Sequence, residues 1–172
     1  MYIPTDDEIV ALDSLPPCET GAPSPIVLAD EFRTFVAYYA RAIASTQATW
    51  DAVPISDPME EPVVLLEFSL CYAHLFGPPN DEAFSGHPLF EKGLRPYTMA
   101  EVRHSSWIAS LERMNSVHPH HRPERFQSRR HFILPFHDST FECIADGVQA
   151  HFHRGSVQSA VSVAAQMLRE RG

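Results

Sequence analysis

Apolar and polar positions alternate with period two over several stretches of this 172-residue chain, which predicts strands before anything else. The longest such stretch runs from Val63 to Phe76. Val64, Leu66, Phe68, Leu70, Tyr72, His74 and Phe76 fall on one face and Glu67, Ser69 and Cys71 on the other, and Gly77-Pro78-Pro79 stops the run. Residues 130–137 and 140–147 alternate in the same way around Asp138-Ser139 and predict a hairpin, with Phe132, Leu134 and Phe136 on one side and His131, Ile133 and His137 on the other. A further extended piece is expected over 148–153. Residues 31–41 fit a helical stripe through Phe32, Phe35, Val36 and Tyr39, but their aromatic and β-branched content favours a strand.

Helical spacing is clearest in two places. Thr98-Met99-Ala100-Glu101 has the form of a capping box and predicts a helix over 99–116, with Met99, Ala100, Trp107, Leu111 and Met114 as its apolar stripe and His104 near the stripe's centre. After Ser156, the positions of Val157, Ala160, Val161, Ala164 and Leu168 predict a closing helix whose alanines allow close packing on a sheet. A short turn of helix is expected through Phe126. Thr5-Asp6-Asp7-Glu8 also reads as a capping box, so residues 1–25 are expected to hold a short helix and then irregular chain. Residues 46–62 read as a long polar loop.

Together these elements predict an α+β fold with a mostly antiparallel sheet and helices packed on one face. The length favours a single domain over 1–172, built as an acidic arm (1–25), a core (26–153) and a C-terminal helix (154–172).

Charge changes this picture more than bulk composition does. Residues 1–62 carry eleven Asp and Glu against two Arg, a net of −9, whereas 63–172 are balanced and contain all ten histidines. An acidic chain of this kind is a poor nucleic-acid binder. No apolar run is long enough to span a bilayer, and a cytoplasmic protein is expected. Cys18, Cys71 and Cys143 are odd in number and far apart, which argues against a disulfide framework, and Cys71 and Cys143, inside strand-like runs, read as buried thiols. Dinucleotide, P-loop, α/β-hydrolase and zincin signatures are all missing from the sequence.

The chemistry concentrates in two segments. Cys71 to Leu89 places His74 at a strand end and then Asn80, Asp81, Glu82 and His87 in the loop that follows. His137-Asp138-Ser139-Thr140-Phe141-Glu142 places a second group in the hairpin. Imidazoles beside carboxylates suit an acid–base pair or a divalent metal with open positions. The expected catalytic residues are therefore His74, His137, Asp138 and Glu142, with Asn80, Asp81, Glu82, His87 and Trp107 as binding residues and Trp107 or Phe136 as an apolar floor. A metal, if bound, would draw on His74, His87 and His137. Ordinary turn chemistry accounts for many of the same residues, because Asn, Asp and Ser side chains cap turns. Three weaker groups, His118/His120/His121, His151/His153 and Arg122/Arg125/Arg129/Arg130, read first as solvated surface.

Several strings are specific enough to carry a resemblance: Glu31-Phe32-Arg33-Thr34-Phe35-Val36-Ala37-Tyr38-Tyr39, Phe76-Gly77-Pro78-Pro79-Asn80-Asp81-Glu82 with Gly86-His87-Pro88-Leu89, and Ser105-Ser106-Trp107-Ile108. Met114-Asn115-Ser116-Val117-His118-Pro119, His131-Phe132 and Phe136-His137-Asp138-Ser139-Thr140-Phe141-Glu142-Cys143 continue them. In these blocks the chain resembles a group of uncharacterised bacterial proteins. The resemblance implies a bacterial origin and a shared fold over roughly 30–147, and no mechanism. Two functional classes stay open: an enzyme or ligand-binding protein using the His/carboxylate groups on a small molecule, and an accessory or immunity-type protein whose acidic first third steers a basic partner.

Overall fold

A computed structural model describes residues 2–41 and 62–170. The strands are β1 (Glu8–Ala11), β2 (Ile26–Ala29), β3 (Arg33–Tyr39), β4 (Val63–Ser69), β5 (Ala73–Gly77), β6 (Ala100–Arg103), β7 (Arg130–Pro135), β8 (Thr140–Ala145) and β9 (Gly147–His153). The α-helices are α1 (Ser106–Asn115), α2 (Glu124–Gln127) and α3 (Val157–Arg169). Two antiparallel sheets with helices confirm the α+β expectation. The stretch read as a loop over 46–62 lies outside the described residues apart from Pro62.

The chain forms two compact units that interleave along the sequence: Met1–Leu12 with Tyr72–Asp146, and Asp13–Cys71 with Gly147–Gly172. The chain passes from one unit to the other at 12/13, 71/72 and 146/147.

The first unit holds a five-stranded sheet in the order β1-β6-β7-β8-β5. Alternation puts Val102, His131, Ile133, Glu142 and Ile144 on one face, since Val102 pairs with His131, Ile133 with Glu142 and His131 with Ile144. Tyr2, Phe84, Leu89, Leu94 and Trp107 cover that face and exclude water from it. The second unit holds β2-β3-β4-β9. Val157, Ala160 and Ala164 of α3 lie against Phe35, Ala37, Val63 and Leu65, so the small residues do bring helix and sheet close. Ser156 caps that helix by accepting from the Ser159 amide, and Arg33 Nη2 donates to the Met167 carbonyl at its other end, 2.7 Å away.

Three expectations are overturned, each by a local conformation that the apolar pattern does not encode. The run from Val63 to Phe76 is two strands in two different sheets. Leu70 adopts φ +47°, a left-handed turn that costs a leucine about 1–2 kcal/mol, and the chain changes direction there. The helix expected over 99–116 is strand β6 followed by α1. Tyr97 (φ +62°) and His104 (φ +53°) are both left-handed, the segment between them pairs with β1 and β7, and His104 is exposed at the end of β6 instead of lying on a helix stripe.

The true cap of α1 is Ser105, whose Oγ accepts from the Ile108 amide at 3.2 Å. The third correction is at the N-terminus, where Glu8–Ala11 is a strand. The capping chemistry of Thr5 to Glu8 is nevertheless used on a distant helix. Asp7 accepts from the Ser106 amide (2.9 Å) and hydroxyl (2.5 Å) at the start of α1. Burial pushes the Asp7 carboxyl up, but these bonds and the Thr5 amide outweigh it and lower it.

Candidate functional site

The first unit assembles two polar clusters, one at the sheet end and one beneath the sheet. The sheet-end cluster is built where β7 turns into β8. Phe136 N–H donates to the Ser139 carbonyl (2.7 Å) and closes the turn, leaving His137 and Asp138 at its tip. Three hydrogen bonds fix the 79–97 loop against that turn. Asp81 N–H donates to the His137 carbonyl (2.9 Å), Tyr97 N–H to the Pro135 carbonyl (2.9 Å), and Thr140 Oγ1 to the Pro79 carbonyl (2.9 Å).

Side chains then converge. Tyr97 Oη donates to Asp81 Oδ2 at 2.5 Å, and His137 Nδ1 lies 2.9 Å from both that carboxylate oxygen and Tyr97 Oη. The tyrosine has one proton, which the carboxylate takes, so His137 Nδ1 must be the donor to both oxygens. The neutral ring therefore carries its lone pair on Nε2. His137 is 41% exposed and Asp81 19%. The Tyr97 hydroxyl lowers the Asp81 carboxyl most; burial opposes it, and His137 adds to it. Asp81 Oδ1 is buried without a hydrogen-bond partner.

The buried cluster centres on Glu142. Tyr2 Oη donates to Oε2 (2.7 Å), His131 Nε2 to Oε2 (3.0 Å) and His87 Nε2 to Oε1 (2.9 Å). The second nitrogen of each ring has its own partner. His87 Nδ1 accepts from the Leu89 amide at 3.1 Å, which fixes that ring's proton on Nε2, and His131 Nδ1 lies 2.9 Å from Ser105 Oγ, which also accepts from Ile108. Both imidazoles donate through Nε2 to one carboxylate, and every polar atom of the cluster has a partner. Burial pushes the Glu142 carboxyl up, but the bonds from His131, His87 and Tyr2 hold it down at about 2. Burial and the adjacent carboxylate raise the Tyr2 hydroxyl.

A depressed carboxylate stabilises the fold fully above its unfolded value near 4.5, and that stabilisation is lost as the pH falls toward 2. For Glu142 it is on the order of 3 kcal/mol. Urea midpoints measured from pH 5 to pH 2 should fall more steeply for wild type than for Glu142→Gln; parallel slopes would show that this carboxylate is not the acid-labile group. Ser105→Ala should lower stability by about 1–2 kcal/mol in thermal melts, since one hydroxyl serves both the α1 cap and His131. An unchanged melting temperature would dismiss that double role.

No protein-family model, curated protein or solved structure matches this chain.

The geometry divides the residues expected to form one site. Asp81 and His137 come together. Glu142 and His87 come together elsewhere, buried. His74 pairs with Cys143 on β8, which puts its ring on the face opposite Glu142 and beside Phe141, with ring centroids 6.3 Å apart. Asp138 approaches His137 Nε2 only to 4.0 Å and is 89% exposed. Asn80 caps the turn through Ala83 N–H (3.1 Å), and Glu82 is exposed. Trp107 is core, stacked on Tyr2 and edge-on to His131, and Phe136 is fully buried. His74, His87 and His137 have separate surroundings, and no set of three or more metal-ligating side chains is assembled among the described residues.

Tyr97, Tyr2, His131 and Ser105 were not expected. His131 was within reach of sequence reasoning, because a hairpin closed at Asp138-Ser139 puts it diagonally across from Glu142. The two tyrosines carry no such signal. All three cysteines are buried, which was expected of Cys71 and Cys143, and no described helix is long and apolar enough to cross a membrane.

Proposed function

We propose that His137, oriented by Asp81 and Tyr97, is a general acid–base group at the end of the five-stranded sheet, acting by proton transfer or hydrolysis on a small molecule in the cytoplasm. The observation that carries this reading is the pairing of Asp81 Oδ2 with His137 Nδ1 at 2.9 Å, on a ring whose other nitrogen is on a half-exposed side chain. A base needs its lone pair outward and a partner that stabilises the imidazolium formed when it takes a proton. Asp81 serves as that partner, and Tyr97 holds Asp81 in place. Three cysteines outside any disulfide are in keeping with a reducing compartment. The test is to incubate the protein with a small-molecule extract and follow the mixture by mass spectrometry. A compound consumed by wild type and spared by His137→Ala supports the reading; equal consumption by both overturns it.

A second reading, a non-catalytic interaction protein, is favoured by β5. This strand ends the five-stranded sheet and exposes Leu75 and Phe76, each to 46%. An apolar edge strand suits pairing with a strand of another protein. Leu75→Lys would abolish such binding and leave the His137 chemistry unchanged.

A further inference from the structure

Asn115 at the end of α1, His118 and His120 in the following loop, and Arg122 and Arg125 leading into α2 line a cavity of about 270 Å³. Its polar lining is rich in hydrogen-bond donors and contains no carboxylate. His118 Nδ1 accepts from the His120 amide at 3.1 Å, so the neutral ring carries its proton on Nε2 and is a donor. Neither Arg122 nor Arg125 has an ion pair among the described residues, unlike Arg129 and Arg130, which are held by Asp146 and Glu101. The nearby acids do not neutralise the cavity: Glu112 is engaged by His121 at 2.6 Å, and Glu124 is exposed outside the lining.

We propose that this cavity binds a tetrahedral oxyanion, the phosphate group of a small phosphate monoester or inorganic phosphate itself. Two guanidinium groups supply the planar, multi-donor recognition that phosphate oxygens accept, and the histidines and Asn115 complete the donor set. The volume suits a phosphate with a small organic group. The site is separate from the proposed acid–base group. Arg130 starts β7 three residues after the end of α2, His137 lies beyond the strand's far end, and six strand residues span roughly 17–20 Å. A small ligand held here does not reach His137, so the anion is an effector or a second ligand.

The experiment is a two-dimensional NMR titration of the full chain with inorganic phosphate and, in parallel, with glycerol 3-phosphate, at constant ionic strength. Saturable shifts of the His118, His120 and Asn115 signals are expected. Arg122→Ala/Arg125→Ala should weaken them about 10- to 100-fold without changing the melting temperature. Tighter binding of the monoester identifies an organic phosphate as the ligand, and equal or tighter binding of phosphate identifies the free ion; both support the site. The proposal is overturned if the shifts are non-saturable, reproduced by chloride, or unchanged in the double variant. It is equally overturned if a single-stranded oligonucleotide binds more tightly than the monoester.

Discussion

Replacing Glu142 with alanine should lower stability by about 3–5 kcal/mol, read as a fall in the urea midpoint. The carboxylate is the common acceptor for Tyr2 Oη, His87 Nε2 and His131 Nε2. Removing it strands three buried donors, each costing about 1–3 kcal/mol when left without a partner. Those penalties do not add fully, because Tyr2 and the rings can shift into the space left behind. Glu142→Gln should cost less, since one acceptor oxygen survives, although its amide N–H₂ must then face an N–H donor. Against a total stability of about 5–15 kcal/mol, the alanine change leaves little margin. A loss below about 1 kcal/mol would mean that water replaces the carboxylate and that the cluster is not sealed.

The second large effect concerns turnover. Once a substrate is in hand, His137→Ala should reduce kcat by about 10²- to 10⁴-fold, the usual contribution of a positioned general base. Asp81→Asn should lie within that range without matching it. An amide oxygen can still accept from Tyr97 and from the ring, but it brings no charge to stabilise the imidazolium. Tyr97→Phe should cost least, because it removes only the bond that holds Asp81. The order His137→Ala, Asp81→Asn, Tyr97→Phe is as diagnostic as the sizes. Asp81→Asn with full activity would leave His137 an ordinary surface histidine. Long-range ¹⁵N–¹H spectra offer an independent check: the neutral His137 ring should carry its proton on Nδ1 in wild type and should populate both tautomers in Asp81→Ala.

The strands were legible wherever alternation was bounded by turn chemistry, as in β7 and β8 around Asp138-Ser139. They were misjudged where the backbone turned at a residue with no turn preference. Leu70 continues the apolar alternation of β4, so nothing in residue type marks the break that moves β5 into another sheet. That break also explains why His74, given a face by counting along one long strand, is absent from either cluster. Thr98-Met99-Ala100-Glu101 misled for a related reason. The motif fits a cap, yet sheet pairing of Ala100 and Val102 outweighed local preference, and Ser105 was available to cap seven residues further on. In the site, Asp81 and His137 were visible because Pro-Pro and the hairpin put them in turns. Tyr97, 40 residues from its histidine partner, and Tyr2, 140 residues from Glu142, are brought in by tertiary structure alone.

The interleaved path of the chain also sets an order on synthesis. Strand β1 and Tyr2 are made before their partners in the first unit, which run to Asp146. At a translation rate of about 5–20 residues per second, the N-terminal segment waits roughly 7–27 s for the last of the sheet it joins. During that interval, its apolar residues lack their native cover. A nascent chain with such a delay is a natural client for a ribosome-associated chaperone, and slowing translation would lengthen the exposure without altering a single native contact.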